Sequence, residues 1–295
     1  MCDNEMDNLP AVSVIVPAYN EGKNIANLIE SLLHLDYPKE LLEIIIVDNN
    51  STDRTKEIIN QYPVKLLEEN NIQSSYAARN TGIRNSNGKI LAFTDSDCMV
   101  SDEWLKSGIL CLQEGAGDIT IGEVKSLSDH KLNIFEKYDK ITAFRHSCKT
   151  GALITSKKIF DKVGFFNERF ISGGDTEWGE RAKEKGLVIS LCKQSVVYHP
   201  LRKSFNSLLK KQIRVGYGSG QKSKKIKLFN FPQQIIKIHV EFLFWILRVG
   251  KMILDAYRID KITLFDLLSL CPIILIFGLA TTYGKIMGRV RKNDS

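Results

Sequence analysis

The chain has 295 residues, of which 43% are hydrophobic and 25% charged, a balance that allows a sizeable globular core. The net charge of +7 is uneven, because residues 201–295 hold 18 Lys and Arg against five Asp and Glu, while the first 200 residues are slightly acidic. A basic tail of this kind indicates an anionic partner. We expect phospholipid head groups and no nucleic acid, because the basic stretch contains few aromatic residues and no recognisable base-binding module.

Cysteine usage and the N-terminal residues both suggest a cytosolic compartment. None of the six cysteines forms a C-x-x-C pair, which excludes a zinc-type spacing. Residues 1–8 are polar and acidic, unlike the apolar segment of a signal peptide. We therefore expect reduced thiols.

The first 94 residues predict alternating strands and helices. The strands are short β-branched runs bounded by proline or acidic residues, and the helices repeat apolar residues at helical spacing. In chain order they are a strand at 11–17, a helix at 20–33, a strand at 41–47, a helix around Ile58 and Ile59 capped by Thr52 or Asp53, a strand at 64–67, a helix at 77–85 and a strand at 90–94.

Continuous apolar strands that alternate with helices indicate a parallel sheet with helices on both faces. In such a sheet the ligand lies beyond the carboxyl ends of the strands. Three polar clusters follow strands here, at Pro17–Glu21, Asp48–Asp53 and Asp95–Asp97. We expect all three to line one crevice.

The remainder of the chain predicts a less regular pattern. Residues 110–149 are mixed and predict no clear element. Beyond them we expect a strand at 151–155, a helix at 156–163, a loop at 170–178 that leads into a charged helix ending at Lys185, a strand at 196–199 and a basic linker at 201–232.

Residues 233–288 predict helices that associate with a membrane. Val240–Leu254 reads as an amphipathic helix with a narrow charged stripe. Leu267–Tyr283 is 17 residues without a formal charge, close to the lower limit for a membrane span, and Pro272 should kink it. Basic residues flank this segment on both sides, which favours helices that lie in the interface, or an anchor that does not cross the membrane cleanly. The alternative is two ordinary helices packed on the catalytic domain.

The pair Asp95 and Asp97 follows the strand at 90–94 and is the strongest candidate for a metal site. Two carboxylates separated by one residue can jointly bind a hard divalent cation, with phosphate oxygens completing the shell. Such a cation neutralises the charge that grows on a diphosphate leaving group. The alternative for the pair is a capped turn.

Three further residues are candidates for binding a nucleotide. Asp48 can accept a hydrogen bond from the ring N–H of a uracil-like base, Glu21 can bind ribose hydroxyls, and Arg79 can face a diphosphate. Helix capping is the alternative for the two acids, and a solvated surface charge is the alternative for Arg79.

Asp175 is the candidate general base. Gly173 and Gly174 let the backbone before it approach a ligand closely, and the carboxylate can deprotonate an acceptor hydroxyl. Glu177 is a possible second member. The alternative is that both are acids of a helix N-terminus that interact with the helix dipole.

Four motifs in order resemble the family 2 inverting glycosyltransferases of GT-A fold. They read VIVPAYNE at 14–21, VDNNSTD at 47–53, ARNTG at 78–82 and FTDSD at 93–97, and the resemblance covers about residues 10–200. It implies a Rossmann-like, mostly parallel α/β sheet flanked by helices, followed by the membrane-associating helical segment.

The resemblance also implies a nucleoside diphosphate sugar donor, with a UDP-sugar expected first, and a Mg²⁺ or Mn²⁺ ion. Carried over by motif, Pro17, Tyr19 and Glu21 fall at the donor nucleoside, Asp48 at the base, Arg79 near the nucleotide, Asp95 at the diphosphate, Asp95 and Asp97 at the metal, and Asp175 at the catalytic base. Inversion at the anomeric carbon follows from the family.

This chain departs from the family pattern at two places. The family usually places Glu before the base, whereas Gly174 stands there in this chain, which leaves the partner of Asp175 open. The Q-x-x-R-W motif of polymerising members is absent, which favours transfer of a single sugar to a glycolipid, polysaccharide or glycan precursor at the cytoplasmic face of a membrane. His199 follows a strand and could reach the metal, but a core or surface histidine is the preferred interpretation.

Three other classes of protein are disfavoured. A sugar nucleotidyltransferase would carry a Gly-rich, Arg-containing loop after the first strand, and a dinucleotide oxidoreductase would carry G-x-G-x-x-G there. A non-catalytic nucleotide-sugar-binding module is the third, and the joint presence of Asp95, Asp97 and Asp175 argues against it.

Overall fold

The computed structural model describes residues 9–115, 117–128, 130–143, 150–222, 231–258 and 262–291. These divide into two compact units. The first comprises the described residues up to Lys125, those between 146 and 169, and Gly174–Pro200. The second comprises those between 126 and 145, Phe170–Gly173, and the described residues from Leu201 onward.

The first unit is built on an eight-stranded mixed sheet in the order β3-β2-β1-β4-β7-β6-β8-β5. The strands are β1 (Val12–Ala18), β2 (Leu42–Asp48), β3 (Lys65–Glu68), β4 (Ile90–Phe93), β5 (Met99–Val100), β6 (Ile119–Leu127), β7 (Leu153–Ser156) and β8 (Ile189–Pro200).

The first four strands form the parallel half that the sequence predicts. β1 lies between β2 and β4 and is parallel to both, with Ala18 opposite Asp48 and Ile15 opposite Phe93. β3 continues the parallel order beyond β2. The three polar clusters therefore leave the sheet at one edge, because neighbouring parallel strands end together.

The other half of the sheet is antiparallel, which the hydrophobic pattern does not reveal. β7 runs antiparallel to β4 and to β6, and β5 pairs antiparallel with β8. β8 is also longer than expected and reaches Pro200, which brings His199 to the end of a strand beside Met99 and Val100.

The described part of the first unit contains six α-helices. Five of them match helices predicted from the sequence, and the one at Trp104–Gln113 has no predicted counterpart. Apolar residues of β1, β2 and the first helix are almost all buried, which explains why these segments repeat Val, Ile and Leu. The helices of this unit are α1 (Ile25–Leu33), α2 (Thr55–Ile59), α3 (Ser75–Arg84), α4 (Trp104–Gln113), α6 (Lys158–Val163) and α7 (Gly174–Glu184), together with short 3₁₀ turns at Lys39–Leu41 and Thr150–Ala152.

The second unit contains α5 (Ile134–Ala143), α8 (Phe205–Lys222), α9 (Phe231–Arg258) and α10 (Leu264–Arg291). The expectation of a linker at 201–232 differs from the structure, since most of this stretch forms α8. Lys211, one of the lysines that suggested a linker, pairs with the buried carboxylate of Asp139. The glycines have a packing role, because a Cβ at Gly216 would lie 2.0 Å from the backbone oxygen of Thr281 on α10.

Helix α10 is long and apolar enough to cross a membrane. Over Leu264–Arg289 its most apolar stretch has a mean hydropathy of 2.2, and only 33% of that stretch is buried. Pro272 lies inside the helix, as expected.

The expectation that all cysteines are reduced is wrong for one pair. Cys111 on α4 and Cys192 on β8 form a disulfide across a sequence separation of 81 residues. Nothing in their spacing could indicate this pair, because the contact arises only when α4 packs on β8. Cys98 is a buried free thiol and Cys271 an exposed one.

Candidate active site

The loops after β1 and β2 are joined to each other by hydrogen bonds. The side-chain oxygen of Asn20 accepts the backbone N–H of Thr52 at 2.8 Å, and the backbone N–H of Asn20 donates to the Ser51 hydroxyl at 2.9 Å. Asn20 has φ 53°, a left-handed conformation that asparagine tolerates better than most residues. The turn leaves the Tyr19 side chain 50% exposed, where its ring is accessible to a ligand.

Asp48 ends β2 as a fully buried carboxylate with one oxygen available. Its Oδ2 accepts the backbone N–H of Ser51 at 3.1 Å. Its Oδ1 is buried and has no hydrogen-bond partner among the described residues. A buried acceptor without a partner costs free energy, so this atom suits a ligand N–H.

Glu21 lies where several acidic side chains converge. Burial is the main influence that raises its pKa, and the carboxylates of Asp97, Asp53 and Asp95 raise it further, against a lowering by the hydrogen bond from Asn24. The three polar clusters predicted to share a crevice are therefore close enough to interact electrostatically. Their negative charges make this edge attractive to a cation.

Arg79 on α3 forms an ion pair with Asp95 at the end of β4. The guanidinium is 4% exposed, while the Asp95 side chain is 39% exposed. The Nε of Arg79 is buried without a partner among the described residues, which leaves it able to donate to an anionic ligand. A Cβ at Gly151 would lie 3.0 Å from Oδ2 of Asp95, so the small residue there keeps space beside this carboxylate.

Asp97, Cys98 and His199 place a carboxylate, a thiol and an imidazole together, with all three potential ligand atoms within 4.8 Å of one another. Nε2 of His199 lies 3.6 Å from Oδ2 of Asp97. Burial raises the pKa of the Cys98 thiol well above its usual value, and Mg²⁺ and Mn²⁺ prefer oxygen ligands to a thiol. The carboxylate and imidazole fit a Mg²⁺ or Mn²⁺ ion, with Mn²⁺ accepting nitrogen more readily.

Asp175 begins α7 and contacts Tyr76 on α3. The Tyr76 hydroxyl lies 3.4 Å from Oδ1 of Asp175 and accepts the backbone N–H of Gly174 at 3.0 Å. Burial is the main influence that raises the pKa of Asp175, with a further rise from Asp95; the Thr176 N–H, Arg79 and Tyr76 act to lower it. A carboxylate with a raised pKa suits a general base.

The glycine that replaces the expected Glu at position 174 has a structural reason. A Cβ there would lie 2.9 Å from the ring of Tyr76. The Tyr76 ring occupies the space that the Cβ of any larger residue at position 174 would need. The partner of Asp175 that the sequence left open is therefore the Tyr76 hydroxyl.

Glu177 is held by a structural ion pair. Its Oε1 accepts from Nε of Arg181 at 2.7 Å, one helical turn along α7. The same guanidinium donates to the backbone oxygens of Val163 and Phe165. This arrangement anchors α7, as does the hydrogen bond from the buried Trp178 to Gly164 at 2.8 Å. Glu177 therefore stabilises the helix that carries Asp175.

The structure brings two further residues to this edge. Sequence reasoning misses Tyr76, although its i, i+3 spacing from Arg79 places both on one face of α3. His199, which the sequence identifies as a core or surface histidine that could reach the metal, lies beside Asp97. Pro17 is buried within β1 and has no N–H to donate, so its contribution is to the shape of the strand end.

The sequence model for glycosyl transferase family 2 matches residues 13–169, which is more than half of the chain. The chain belongs to glycosyl transferase family 2. Its relatives include "Glycosyltransferase AglE" of Haloferax volcanii, 38% identical over 226 residues, which are 72% of this chain and 74% of the relative. This family 2 glycosyltransferase therefore transfers a sugar.

Two further comparisons extend over nearly the whole chain. A Methanococcus voltae protein is 24% identical over 96% of this chain and 98% of its own length, and is named dolichyl N-acetyl-alpha-D-glucosaminyl phosphate 3-beta-D-2,3-diacetamido-2,3-dideoxy-beta-D-glucuronosyltransferase. The mannosyltransferase PcManGT of Pyrobaculum calidifontis, solved with GDP-Man and Mn²⁺, aligns with a TM-score of 0.56 at 20% identity over 97% of this chain and 87% of its own. The second likeness supports the GT-A fold of this glycosyltransferase.

Proposed function

We propose that this glycosyltransferase moves a single sugar from a nucleoside diphosphate donor, a UDP-sugar in the first instance, to a hydroxyl of a lipid-linked glycan at a membrane surface, with inversion. The observation that carries the proposal is the electrostatic network around Arg79. Arg79 pairs with Asp95 on the donor side and also acts on Asp175, the candidate base. The residue expected to bind the donor diphosphate and the candidate base for the acceptor therefore interact electrostatically through Arg79.

The donor nucleoside is bound by the loops after β1 and β2. The open Oδ1 of Asp48 accepts the ring N–H of the base, and the exposed Tyr19 ring covers it. Glu21 accepts from the ribose hydroxyls. The buried Nε of Arg79 donates to the diphosphate, because a guanidinium and a phosphate form strong charge-assisted hydrogen bonds.

Asp97 and His199 would hold the divalent cation, with Asp95 as the further candidate beside them. A bound Mg²⁺ or Mn²⁺ supplies positive charge against the oxygens of the leaving diphosphate. The pairing of Asp95 with Arg79 supports a division of roles, in which Asp97 is the principal carboxylate ligand and Asp95 positions the guanidinium at the diphosphate.

Asp175 acts as the base of a single displacement. The acceptor hydroxyl gives its proton to the Asp175 carboxylate while its oxygen bonds to the anomeric carbon, and the bond from that carbon to the diphosphate oxygen breaks. The attack comes from the face opposite the leaving group, so the configuration inverts. One carboxylate suffices, which agrees with the structural role of Glu177.

The acceptor class rests on the second unit and on the relatives. A relative that spans almost the whole chain is named for transfer to a dolichyl-phosphate-linked sugar. Helix α10 is apolar enough to bring this chain to a membrane. A hydroxyl on a lipid-linked sugar is the acceptor that fits both observations.

The test is a transfer assay with UDP- and GDP-sugars and lipid-linked mono- or disaccharide acceptors, with Mn²⁺ and with a chelator. We expect one donor to give a product one sugar longer, with opposite anomeric configuration by proton NMR taken early. Retained configuration would refute the displacement, and full activity in chelator would refute the metal role.

A further inference from the structure

The second unit contains a cavity of about 320 Å³ bordered by α8, α9 and α10. Its described lining includes three basic side chains, Arg248, Lys285 and Arg289, and no carboxylate. Arg289 is 4% exposed, so its charge is held inside the unit. Three positive charges around one small space suit a phosphate group, which offers several strong acceptor oxygens.

Aromatic rings form another part of the cavity wall. Phe242, Phe244 and Trp245 come from α9. A Cβ at Gly278 on α10 would lie 2.8 Å from the rings of both Phe242 and Trp245, so this glycine lets the rings lie directly on the α10 backbone. A cavity lined by both basic and aromatic side chains fits a ligand with an anionic head and an apolar chain.

Helix α10, which carries Lys285 and Arg289, is held at short distance from α8 by glycines. Gly216 and Gly220 on α8 lie against the backbone of α10, and Gly284 and Gly288 on α10 lie against the backbone of α8. This small-xxx-small pattern on both helices is a packing mode typical of membrane helices. It fixes the basic end of α10 and makes the cavity a preformed feature.

The surface around the cavity is apolar on α9 and α10. Phe244, which lines the cavity, is 66% exposed, and Leu247 beside it is 59% exposed. On α10, Leu279 and Tyr283 are 60% and 57% exposed, and both precede Lys285. Apolar side chains followed by basic ones at the end of an apolar helix match the boundary between acyl chains and head groups.

We propose that this cavity binds the phosphate group of a membrane lipid, with the lipid chain lying along Phe242, Phe244 and Trp245. The proposal goes beyond sugar transfer, concerns the second unit alone and does not depend on the function proposed above. A soluble phosphate would gain nothing from the aromatic wall or from the exposed apolar surface that continues it. The occupant is therefore a lipid.

Trp245 provides a local probe of the cavity. The chain has three tryptophans, and the other two, Trp104 and Trp178, are fully buried in the first unit. Bromine atoms on a lipid chain quench tryptophan fluorescence on contact. The full chain in neutral detergent is titrated with brominated phosphatidic acid or with brominated phosphatidylcholine. We expect phosphatidic acid to quench at a concentration about tenfold lower, and Trp245→Phe to abolish that quenching.

Two double variants distinguish lipid binding in the cavity from a general attraction between the basic unit and an anionic lipid. Arg248→Gln with Lys285→Gln removes two cavity charges and spares the buried Arg289, whose loss could impair folding. Lys210→Gln with Lys251→Gln removes the same charge from exposed positions of the same unit. The preference for phosphatidic acid should fall to near parity in the first variant and persist in the second.

Three results would overturn the proposal. They are equal quenching by the two lipids in the native protein, full quenching in Trp245→Phe, and a preference that survives Arg248→Gln with Lys285→Gln. Inorganic phosphate at the same concentration should leave the quenching unchanged. Displacement by inorganic phosphate would identify a free anion as the occupant and contradict the lipid assignment.

Discussion

The hydroxyl of Tyr76 lies 3.4 Å from a carboxylate oxygen of Asp175 and accepts the backbone N–H of the preceding residue. The phenol is buried, and burial together with the Asp175 charge raises its pKa, so it remains a neutral donor at physiological pH. It therefore contacts the side chain of the candidate base and the backbone of Gly174, which precedes that base. This relationship joins α3, which carries Arg79, to the start of α7.

Replacement of Tyr76 by Phe should lower turnover at unchanged donor affinity, because it leaves Asp175 without its orienting hydroxyl. Tyr37→Phe is the matched control, since Tyr37 is also buried and its hydroxyl donates to the backbone oxygen of Pro10. Each change should cost about 1 kcal/mol of unfolding free energy. Equal turnover in the two variants, measured by product release, would remove Tyr76 from the mechanism.

The pH dependence of kcat/KM should report Asp175. Burial raises its pKa above the ordinary 3.8, and the base works only when ionised. Activity is therefore complete above the raised pKa and is lost as the pH falls through it. Because the Tyr76 hydrogen bond lowers this pKa, Tyr76→Phe should move the acid limb to higher pH. The profile is recorded at saturating metal, and a limb at or below pH 3.8 would contradict the assignment.

His199→Gln should weaken metal activation. Removal of a residue that only supports a metal ligand typically lowers metal affinity about 10–100-fold, and loss of a direct ligand should cost at least as much. We therefore expect the Mn²⁺ concentration at half-maximal activity to rise at least about tenfold. His34→Gln is the control, because His34 is exposed at the end of α1. An unchanged Mn²⁺ requirement in His199→Gln would return this histidine to the structural role that sequence reasoning preferred.

Asp48→Asn should weaken binding of the donor nucleotide. A hydrogen bond to a charged group contributes roughly 1.5–3 kcal/mol, so calorimetry should show about a 10–100-fold rise in the Kd of UDP. Asp118→Asn is matched, since Asp118 also accepts a backbone N–H, that of Val188 at 2.9 Å. Similar affinities in the two variants would mean that Oδ1 of Asp48 does not contact the base.

The parallel half of the fold could be predicted because its signals are local. Val14–Ala18 and Ile44–Val47 are short, β-branched apolar runs followed directly by polar residues, and this local pattern predicts buried strands. The antiparallel half depends on which strands meet, and β7 pairs with β4 across some 60 residues of chain. Phe205–Lys222 reads as a linker because it contains lysine and glycine. The glycines of this helix pack against segments distant in the sequence, and such contacts leave no local signal.

The candidate site likewise contains residues that the sequence predicts and residues that it does not. Asp48, Asp95 and Asp97 could be placed from sequence because each follows a predicted strand, and Arg79 because it lies within a family motif. Tyr76 and His199 could not, since their partners Asp175 and Asp97 lie 99 and 102 positions away in the sequence. Only the packing of α3 against α7 and of β8 beside β5 brings them together.

Asp175→Asn, compared with Glu177→Gln, tests the central claim most directly. Donor binding by calorimetry and sugar transfer by product release are measured on the same preparations. Asp175→Asn should bind donor normally while transfer falls roughly 10²–10⁴-fold. Its thermal midpoint should not fall, because a buried carboxylate with a raised pKa costs stability at neutral pH. Glu177→Gln should keep most transfer and lose some stability with its ion pair. Full transfer by Asp175→Asn, or its loss only in Glu177→Gln, would contradict the account.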